Sequence, residues 1–332
     1  MTKKFPKLKS KAVLAPMIGF TNAAFRALAK KYGACLTYTG LISSAALAKN
    51  KEELLHNSSK SCNGNNNIPY TFHYKNKEIA RILRTEIKVS PVACQLFGSD
   101  AENIAKAAAI VEDCFDIIDI NCGCPAVNVT KLGAGSALMK KPEKIADIVR
   151  QAIESVNIPV TVKIRAGISP SKLNAIETAK MIEEAGAAAI AVHGRARNQG
   201  YKTPADWNVI REIKEALDIP VIGNGDIATP EQFKQRLDES NVDYIMIGRA
   251  GMKNPYLFRQ INDYLKTGEY KHKDKLSIIA DYMKLAEKYN ISYDLVKNNV
   301  IQMTKGIEQG AALRKLLSTC KTLENLKKLI DL

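Results

Sequence analysis

At 332 residues, with 46% hydrophobic and 25% charged side chains, the chain has the composition of a folded soluble protein of about two domains, which excludes extensive disorder. Lysine and arginine number 49 against 34 aspartates and glutamates, and the resulting +15 favours a polyanionic partner, nucleic acid foremost. No run of about 18 apolar residues occurs, which excludes a membrane helix, and the basic start MTKKFPKLKSK lacks the apolar core of a secretory signal.

Eight short, near-continuous apolar runs read as strands buried on both faces. In chain order they are Val13–Met17, Cys35–Leu41, Val92–Phe97, Ile117–Asn121, Val160–Ile164, Ala189–His193, Val221–Asn224 and Tyr244–Gly248. Helical spacing marks Ala101–Glu112, Ile145–Ser155, Ala175–Ala185, Val209–Leu217 and Pro230–Asp238 between them. Alternating strands and helices predict a parallel sheet, and eight such units in about 250 residues predict an α/β fold of the TIM (β/α)8 barrel type. An open doubly wound sheet competes, but no strand–GxGxxG–helix element opens the chain.

A long insert, about Lys49 to Ser90, separates the second and third strands and contains the Asn-rich stretch SCNGNNNIP. It reads as a tolerated surface insertion, with a lid or partner-facing loop as the functional alternative. After Pro255 the strand signal stops. Residues 275–290, 293–310 and 321–330 then predict amphipathic helices, with Ile278, Ile279, Tyr282, Met283, Leu285 and Ala286 on one helical face. The predicted division is a catalytic barrel over 1–254 and a small basic helical domain over 255–332.

Seven cysteines, Cys35, Cys62, Cys94, Cys114, Cys122, Cys124 and Cys320, lie scattered along the chain. An odd number without paired spacing argues against a disulfide framework and fits a reducing cytoplasm. Only Cys122 and Cys124 are close, and two thiols do not make a four-ligand zinc site, so no metal is predicted.

In a barrel of this kind the active site forms at the C-terminal ends of the strands. Those ends read Ala15-Pro16-Met17, Gln95-Leu96-Phe97-Gly98, Asn121-Cys122-Gly123-Cys124-Pro125, Lys163-Ile164-Arg165, His193-Gly194-Arg195, Asn224-Gly225-Asp226 and Gly248-Arg249. Buried polar groups left unpaired cost about 1–3 kcal/mol each, and one polar ligand would satisfy them together. The glycine-rich turns after the seventh and eighth strands stand where such barrels hold a phosphate on backbone N–H groups. Arg249 can add a charge-assisted contact. Lys163 and Gln95 suit a heterocycle with carbonyls and ring nitrogens. A lysine beside the N1–C2 edge of a flavin would stabilise its anionic reduced form.

Cys124 is the candidate for chemistry. It follows a buried strand and opens a stretch, Ala126–Ala137, that reads as a mobile glycine-containing loop. A thiol there can be a nucleophile, a metal ligand or a general acid. Metal partners are missing, and a nucleophile would want His193 as its base. A general acid needs only a thiol that delivers a proton. Cys94, Cys114 and Cys122 read as small apolar residues.

Together these residues resemble the tRNA-dihydrouridine synthase family. The match runs over about residues 11–320, and its strongest element is IDINCGCPAVNVTKLGAGSALM at 118–139. APMIGFTNAAFR at 15–26, QLFGSD at 95–100, VKIRAG at 162–167, VHGRARNQGYKTPADW at 192–207, IGNGDI at 222–227 and GRAGMKNPYLF at 248–258 follow in order. Gly40 and Asn22 depart from the family's usual glutamate and aspartate, and the tail GAALRKLLSTC keeps only Arg314 and Lys315 of its usual helix.

The resemblance implies an FMN-binding TIM barrel followed by a helical tRNA-binding domain. It places Pro16, Met17 and Ile18 along the flavin and Gln95 and Lys163 on its ring. Asn224, Gly225, Asp226, Gly248 and Arg249 fall at the phosphate end. His193 falls against the flavin face or the uracil, and Asn121, Arg165 and Arg195 fall on the substrate. It also implies the reaction: NADPH or NADH reduces FMN, a flipped uridine of tRNA receives hydride from flavin N5 at C6, and Cys124 protonates C5 to give 5,6-dihydrouridine. Two other readings remain. One is a flavin barrel that reduces a free pyrimidine, against which the basic tail and the +15 charge argue. The other is a non-catalytic RNA-binding protein, against which the intact strand ends argue.

Overall fold

The structure, a computed structural model, describes residues 3–49 and 90–329. The insert expected between the second and third strands, with Cys62, lies outside the described residues. Among the described residues ten strands form one sheet: β1 (Ala12–Leu14), β2 (Thr37–Tyr38), β3 (Ile42–Ser43), β4 (Val92–Phe97), β5 (Ile117–Asn121), β6 (Val160–Ser169), β7 (Lys172–Leu173), β8 (Ala189–Ala196), β9 (Val221–Asn224) and β10 (Tyr244–Ile247). Parallel pairing runs in the order β1-β10-β9-β8-β6-β5-β4-β2. A parallel bridge between Val13 and Leu36 closes the ring. There the Leu14 amide donates to the Leu36 carbonyl and the Cys35 amide to the Ala12 carbonyl, each at 2.9 Å. The molecule is therefore an eight-stranded parallel barrel wrapped in helices, the TIM fold that the alternation predicts.

Two strands differ instructively from their sequence signal. The run Cys35–Leu41 is split into β2 and β3, both paired to β4. Between them the Thr39 hydroxyl accepts the Gln95 amide at 2.9 Å and donates to the Gly40 carbonyl at 2.8 Å, so a side chain replaces one rung of the backbone ladder. In contrast, β6 and β8 continue past their apolar runs. They pair from Thr161–Ala189 to Gly167–Ala196, and β7 folds back antiparallel on the end of β6.

Alternation along the strands sorts the core into two faces. Outward residues such as Ile118, Ile120, Val162, Ile164, Ile190, Val192, Ile245 and Ile247 pack beneath the helices. Inward residues Val13, Ala93, Ile117, Ala191, Ile222 and Met246 fill the barrel, with Phe5, Leu8 and Tyr244 packed against them. Side-chain caps set where several helices start: Asn22 for Ala23–Lys31, Asp100 for Ala101–Val111, Asp206 for Trp207–Ala216 and Thr229 for Pro230–Ser240. Each cap is worth about 1 kcal/mol.

The tail consists of helices Leu257–Thr267, Lys275–Lys288, Tyr293–Met303, Gly310–Thr319 and Leu323–Leu329. The helix expected over 293–310 ends at Met303, because Gly306 (φ 84°) and Gln309 (φ 53°) adopt left-handed backbone and start a new helix at Gly310. Ile278, Tyr282, Val300, Leu317 and Leu326 share one continuous core with the barrel. Polar contacts pin the seam. Asp281 accepts from Lys31 at 2.8 Å, from Lys273 at 2.6 Å and from the Tyr32 hydroxyl. The buried Tyr282 hydroxyl accepts from Asn22 at 3.1 Å and from Asn299 at 2.9 Å. Among the described residues no helix is long and apolar enough to cross a membrane, and no group of His, Cys, Asp and Glu could hold a metal ion.

Candidate active site at the barrel mouth

Strand register gathers the inward polar residues into one stack. It sets Gln95 beside Asp119, Asp119 beside Thr161, Asn121 beside Lys163, Arg165 beside His193, and His193 beside Asn224. Gln95 Nε2 donates to Asp119 Oδ2 and Thr161 Oγ1 to Asp119 Oδ1, both at 2.6 Å. Asn121 Nδ2 donates to Gln95 Oε1 at 2.9 Å. Lys163 Nζ donates to Asn224 Oδ1 at 3.2 Å, and Asn224 Nδ2 donates to the Met246 carbonyl at 2.8 Å.

Burial sets the charges in this stack. It holds the Lys163 ammonium down to about 8, helped by Arg165 and opposed by Asp119. It pushes the Asp119 carboxyl up to about 7, against hydrogen bonds from Thr161 and Gln95. His193 is held well below the usual histidine range by burial and then by Lys163, Arg165, Arg195 and Arg249, so its ring is neutral.

Above the stack opens a cavity of about 860 Å³. Cys124, Pro16, Met17, Ile18, Gln95, Lys163, His193, Asn224, Gly225, Asp226, Gly248, Arg249, Asn121, Arg165 and Arg195 all line it, so the structure brings every sequence-predicted site residue to one place. Lys253, Lys275 and Lys305 add positive charge on the tail side, and among the described residues Asp226 is the sole acidic one on the wall.

Cys124 is half-buried, with a free thiol. Its amide donates to Asn121 Oδ1 at 2.9 Å and its carbonyl accepts from the Ser136 amide at 2.9 Å. Gly135 (φ 59°) must be glycine, since a Cβ there would lie 2.7 Å from the Cys124 carbonyl oxygen. Arg165 Nε donates to the Gly123 carbonyl at 2.7 Å. The stretch 126–137 is more regular than a glycine-containing loop: it holds a short helix, Val127–Thr130, runs into a 3-10 helix at Gly135–Lys140, and is tied to the Cys124 carbonyl by the Ser136 amide. Cys94, on β4, and Cys122, just past the end of β5, are fully buried, as small apolar residues should be.

The arginine wall is organised by one carboxylate. Asp226 accepts from Arg195 at 2.5 Å, from Arg249 at 3.0 Å and from the Ala205 amide at 2.8 Å. Arg195 is 1% exposed and also donates to the Thr203 carbonyl at 2.6 Å, so its guanidinium fastens the loop after β8. Arg249 is the accessible one, with its guanidinium 3.8 Å from the Tyr201 ring centroid. Gly225 (φ 142°) is demanded by Ala205, whose Cβ would be 2.4 Å from an added Cβ.

Sequence reasoning missed Asp119, although the alternation Ile118-Asp119-Ile120-Asn121 placed it on the inward face with Asn121. It also missed Tyr201, Gln232, Lys253, Lys275 and Lys305, which reach the cavity from a loop, from the helices Pro230–Ser240 and Arg249–Lys253, and from the tail, without any strand-end signal.

Comparison with known proteins agrees with this geometry. The family model for dihydrouridine synthase matches residues 13–331. The chain is 37% identical over 267 residues to tRNA-dihydrouridine synthase B of Shewanella oneidensis, covering 79% of this chain and 74% of that one. It is 34% identical over 310 residues to tRNA-dihydrouridine synthase B of Pasteurella multocida, covering 93% and 82%. Among solved structures, histamine dehydrogenase from Rhizobium sp. 4-9 superposes with a TM-score of 0.56 at 12% identity, over 84% of this chain. The chain spans about half of that enzyme (49%), and the likeness is one of fold.

Proposed function

The chain belongs to the dihydrouridine synthase family, and from that premise we propose that it reduces particular uridines of transfer RNA to 5,6-dihydrouridine, using bound FMN and NADPH or NADH as reductant. One observation carries the reading: a half-buried free thiol and a stack of amide and cationic side chains converge on a single cavity at the strand ends.

The residues present fit a flavin mononucleotide. A volume of about 860 Å³ falls in the roughly 300–1,000 Å³ range of cofactor sites and leaves room for a base. Lys163, Gln95 and Asn224 present donors to a ring with carbonyls. Arg249, Gly248 and Gly225 would hold the phosphate, with Asp226 positioning Arg249. Pro16, Met17 and Ile18 supply an apolar edge. When bound, the flavin supplies the hydride that adds to C6 of the uracil.

The chain's own groups do the rest. Cys124 Sγ–H donates its proton to C5 and the thiolate is reprotonated from solvent, which balances the reduction. Asn121 keeps one N–H free beyond its bond to Gln95, and Arg165 and the neutral His193 stand on the same wall to orient the base. A stacked uridine cannot reach Cys124, so the nucleotide must be flipped into the mouth. Net positive charge and the basic tail over 255–332 provide the electrostatic attraction for the RNA. The free cysteines fit a cytoplasmic enzyme.

The test is mass spectrometry of nucleosides from unmodified tRNA transcript incubated with the protein, FMN and NADPH. A gain of two hydrogens at one mapped uridine supports the reading. No gain from a protein that binds FMN and oxidises NADPH rejects tRNA as substrate and turns the assay to free pyrimidines.

A further inference from the structure

Asp119 is fully buried, and the inward residues Ile117, before it on β5, Ala93, paired with Ile117, and Ala191 and Ile222 of the barrel filling are apolar. Ionised carboxyl groups in such places cost several kcal/mol, and well-packed apolar residues of similar volume often leave the fold as stable or more so. Stability therefore does not account for this carboxyl. Its bonds do. An ionised carboxylate only accepts, so Gln95 must turn its NH2 group toward Asp119 Oδ2, at 2.6 Å. Gln95 Oε1 then faces Asn121 Nδ2, at 2.9 Å. That leaves Asn121 Oδ1 for the Gly123 amide at 3.3 Å and the Cys124 amide at 2.9 Å. The chain runs from a pure acceptor through two amides to a pure donor, with one consistent polarity, and the second N–H of Gln95 remains for the cavity.

We propose that Asp119 is a positioning residue that, through Gln95 and Asn121, orients both the flavin-facing amide and the Cys124 segment. It touches neither ligand nor reacting atom itself. The Thr161 hydroxyl, which donates to Asp119 Oδ1 at 2.6 Å, is a rotor. It can reverse to accept a proton or an amide N–H at that oxygen's place. The polarity of the chain thus survives protonation of Asp119 and survives Asp119→Asn, but not loss of the acceptor. The part of the inference that concerns Gln95 rests on the flavin reading of the cavity; the part that concerns Cys124 does not.

The experiment compares the full-length wild type with Asp119→Asn and Asp119→Leu, with Asp119→Val as the second apolar variant should leucine overfill the site. Three quantities are read: the melting temperature, the FMN dissociation constant from flavin fluorescence quenching, and the rate of Cys124 alkylation by iodoacetamide, followed on its peptide by mass spectrometry. Asp119→Asn is expected to stay within about twofold of wild type in affinity and in alkylation rate. The apolar variants are expected to melt within a few degrees of wild type, to bind FMN at least tenfold more weakly and to change Cys124 alkylation at least threefold. An apolar variant that matches Asp119→Asn in both readouts overturns the proposal. So does Asp119→Asn failing as badly as Asp119→Leu, or losses that merely follow the melting temperature. If the wild type binds no FMN, the flavin reading falls, and the alkylation rates still decide the relay to Cys124.

Discussion

Arg195 and Asp226 meet at 2.5 Å on the wall of the cavity, and the same carboxylate takes Arg249 on its other oxygen at 3.0 Å. One acid thus holds two cations of different duty, one buried and structural, one at the surface of the site. Asp226 is itself partly exposed, so solvent screens the pair and its worth is below that of a fully buried bridge. Asp226→Ala leaves the buried Arg195 without its anionic partner and the Ala205 amide without an acceptor. The expected loss is about 2 kcal/mol in chemical denaturation, together with an FMN affinity at least tenfold weaker, because Arg249 is no longer aimed. A variant that is destabilised but binds FMN like wild type would confine Asp226 to the fold.

Cys124→Ala separates the two halves of the reaction. Nothing in the hydrogen bonding of the cavity floor passes through its sulfur, so flavin binding and slow NADPH oxidation should persist. Uridine reduction should fall by about 10²–10⁴, the usual contribution of a positioned acid. Dihydrouridine formation is counted by nucleoside mass spectrometry under single-turnover conditions. Wild-type rates in this variant would remove the thiol from the mechanism.

Much of the site was legible because strand ends of a parallel barrel must converge, and polar residues at the ends of apolar runs name themselves. Cys124, Lys163, Gln95 and Asn224 were readable for that reason. What could not be read depends on side-chain pairing across strands or on elements distant in sequence. Asp226 is readable as the polar residue of a Gly-Asp turn, but its bond to Arg195, thirty-one residues earlier, is not. The stretch after Cys124 reads as a loop because glycines suggest loops, yet Gly135 is required by the nearby Cys124 carbonyl, which an added Cβ would meet at 2.7 Å. The broken second strand needed the Thr39–Gln95 bond, which no periodicity encodes.

Lys163 gives a pH dependence with a definite sign. Its folded pKa, lowered to about 8, lies beneath the ordinary lysine value, so the cation is present below that pH and fades above it. A ligand that prefers the cation must bind more weakly as the pH rises through about 8. FMN affinity measured from pH 7 to 9 should therefore decline in the wild type. Lys163→Met should bind weakly throughout and show no such decline. A flat wild-type profile would show that Lys163 carries no charge-dependent contact.

The seam between barrel and tail supplies a stability prediction. Tyr282 is fully buried, and its hydroxyl is the acceptor for Asn22 and Asn299, one from each side. Tyr282→Phe keeps the ring and its packing against Phe25 but takes the acceptor from Asn22 Nδ2, while Asn299 Nδ2 keeps the Phe20 and Leu295 carbonyls at 3.3 and 3.2 Å. Removing one partner of a buried hydrogen bond costs about 1–3 kcal/mol. The urea midpoint should fall accordingly with an unchanged slope. No change would mean that Asn22 finds another acceptor across the seam.

Lys253 and Lys305 stand on the tail side of the cavity wall, and neither has a carboxylate partner among the ion pairs described. If the RNA enters over this edge, each lysine neutralises a phosphate and releases its counterion. Lys253→Ala and Lys305→Ala should then each weaken tRNA binding and flatten the log K against log salt plot by about 0.7–1. FMN affinity at fixed ionic strength should move far less, since the groups assigned to the flavin lie around Lys163, Gln95 and Arg249. Equal losses in both would place these lysines on the cofactor. An unchanged salt slope would move the RNA to another edge of the barrel mouth, with Lys131, Lys172 and Lys202 on the exposed βα loops as the next positions to replace.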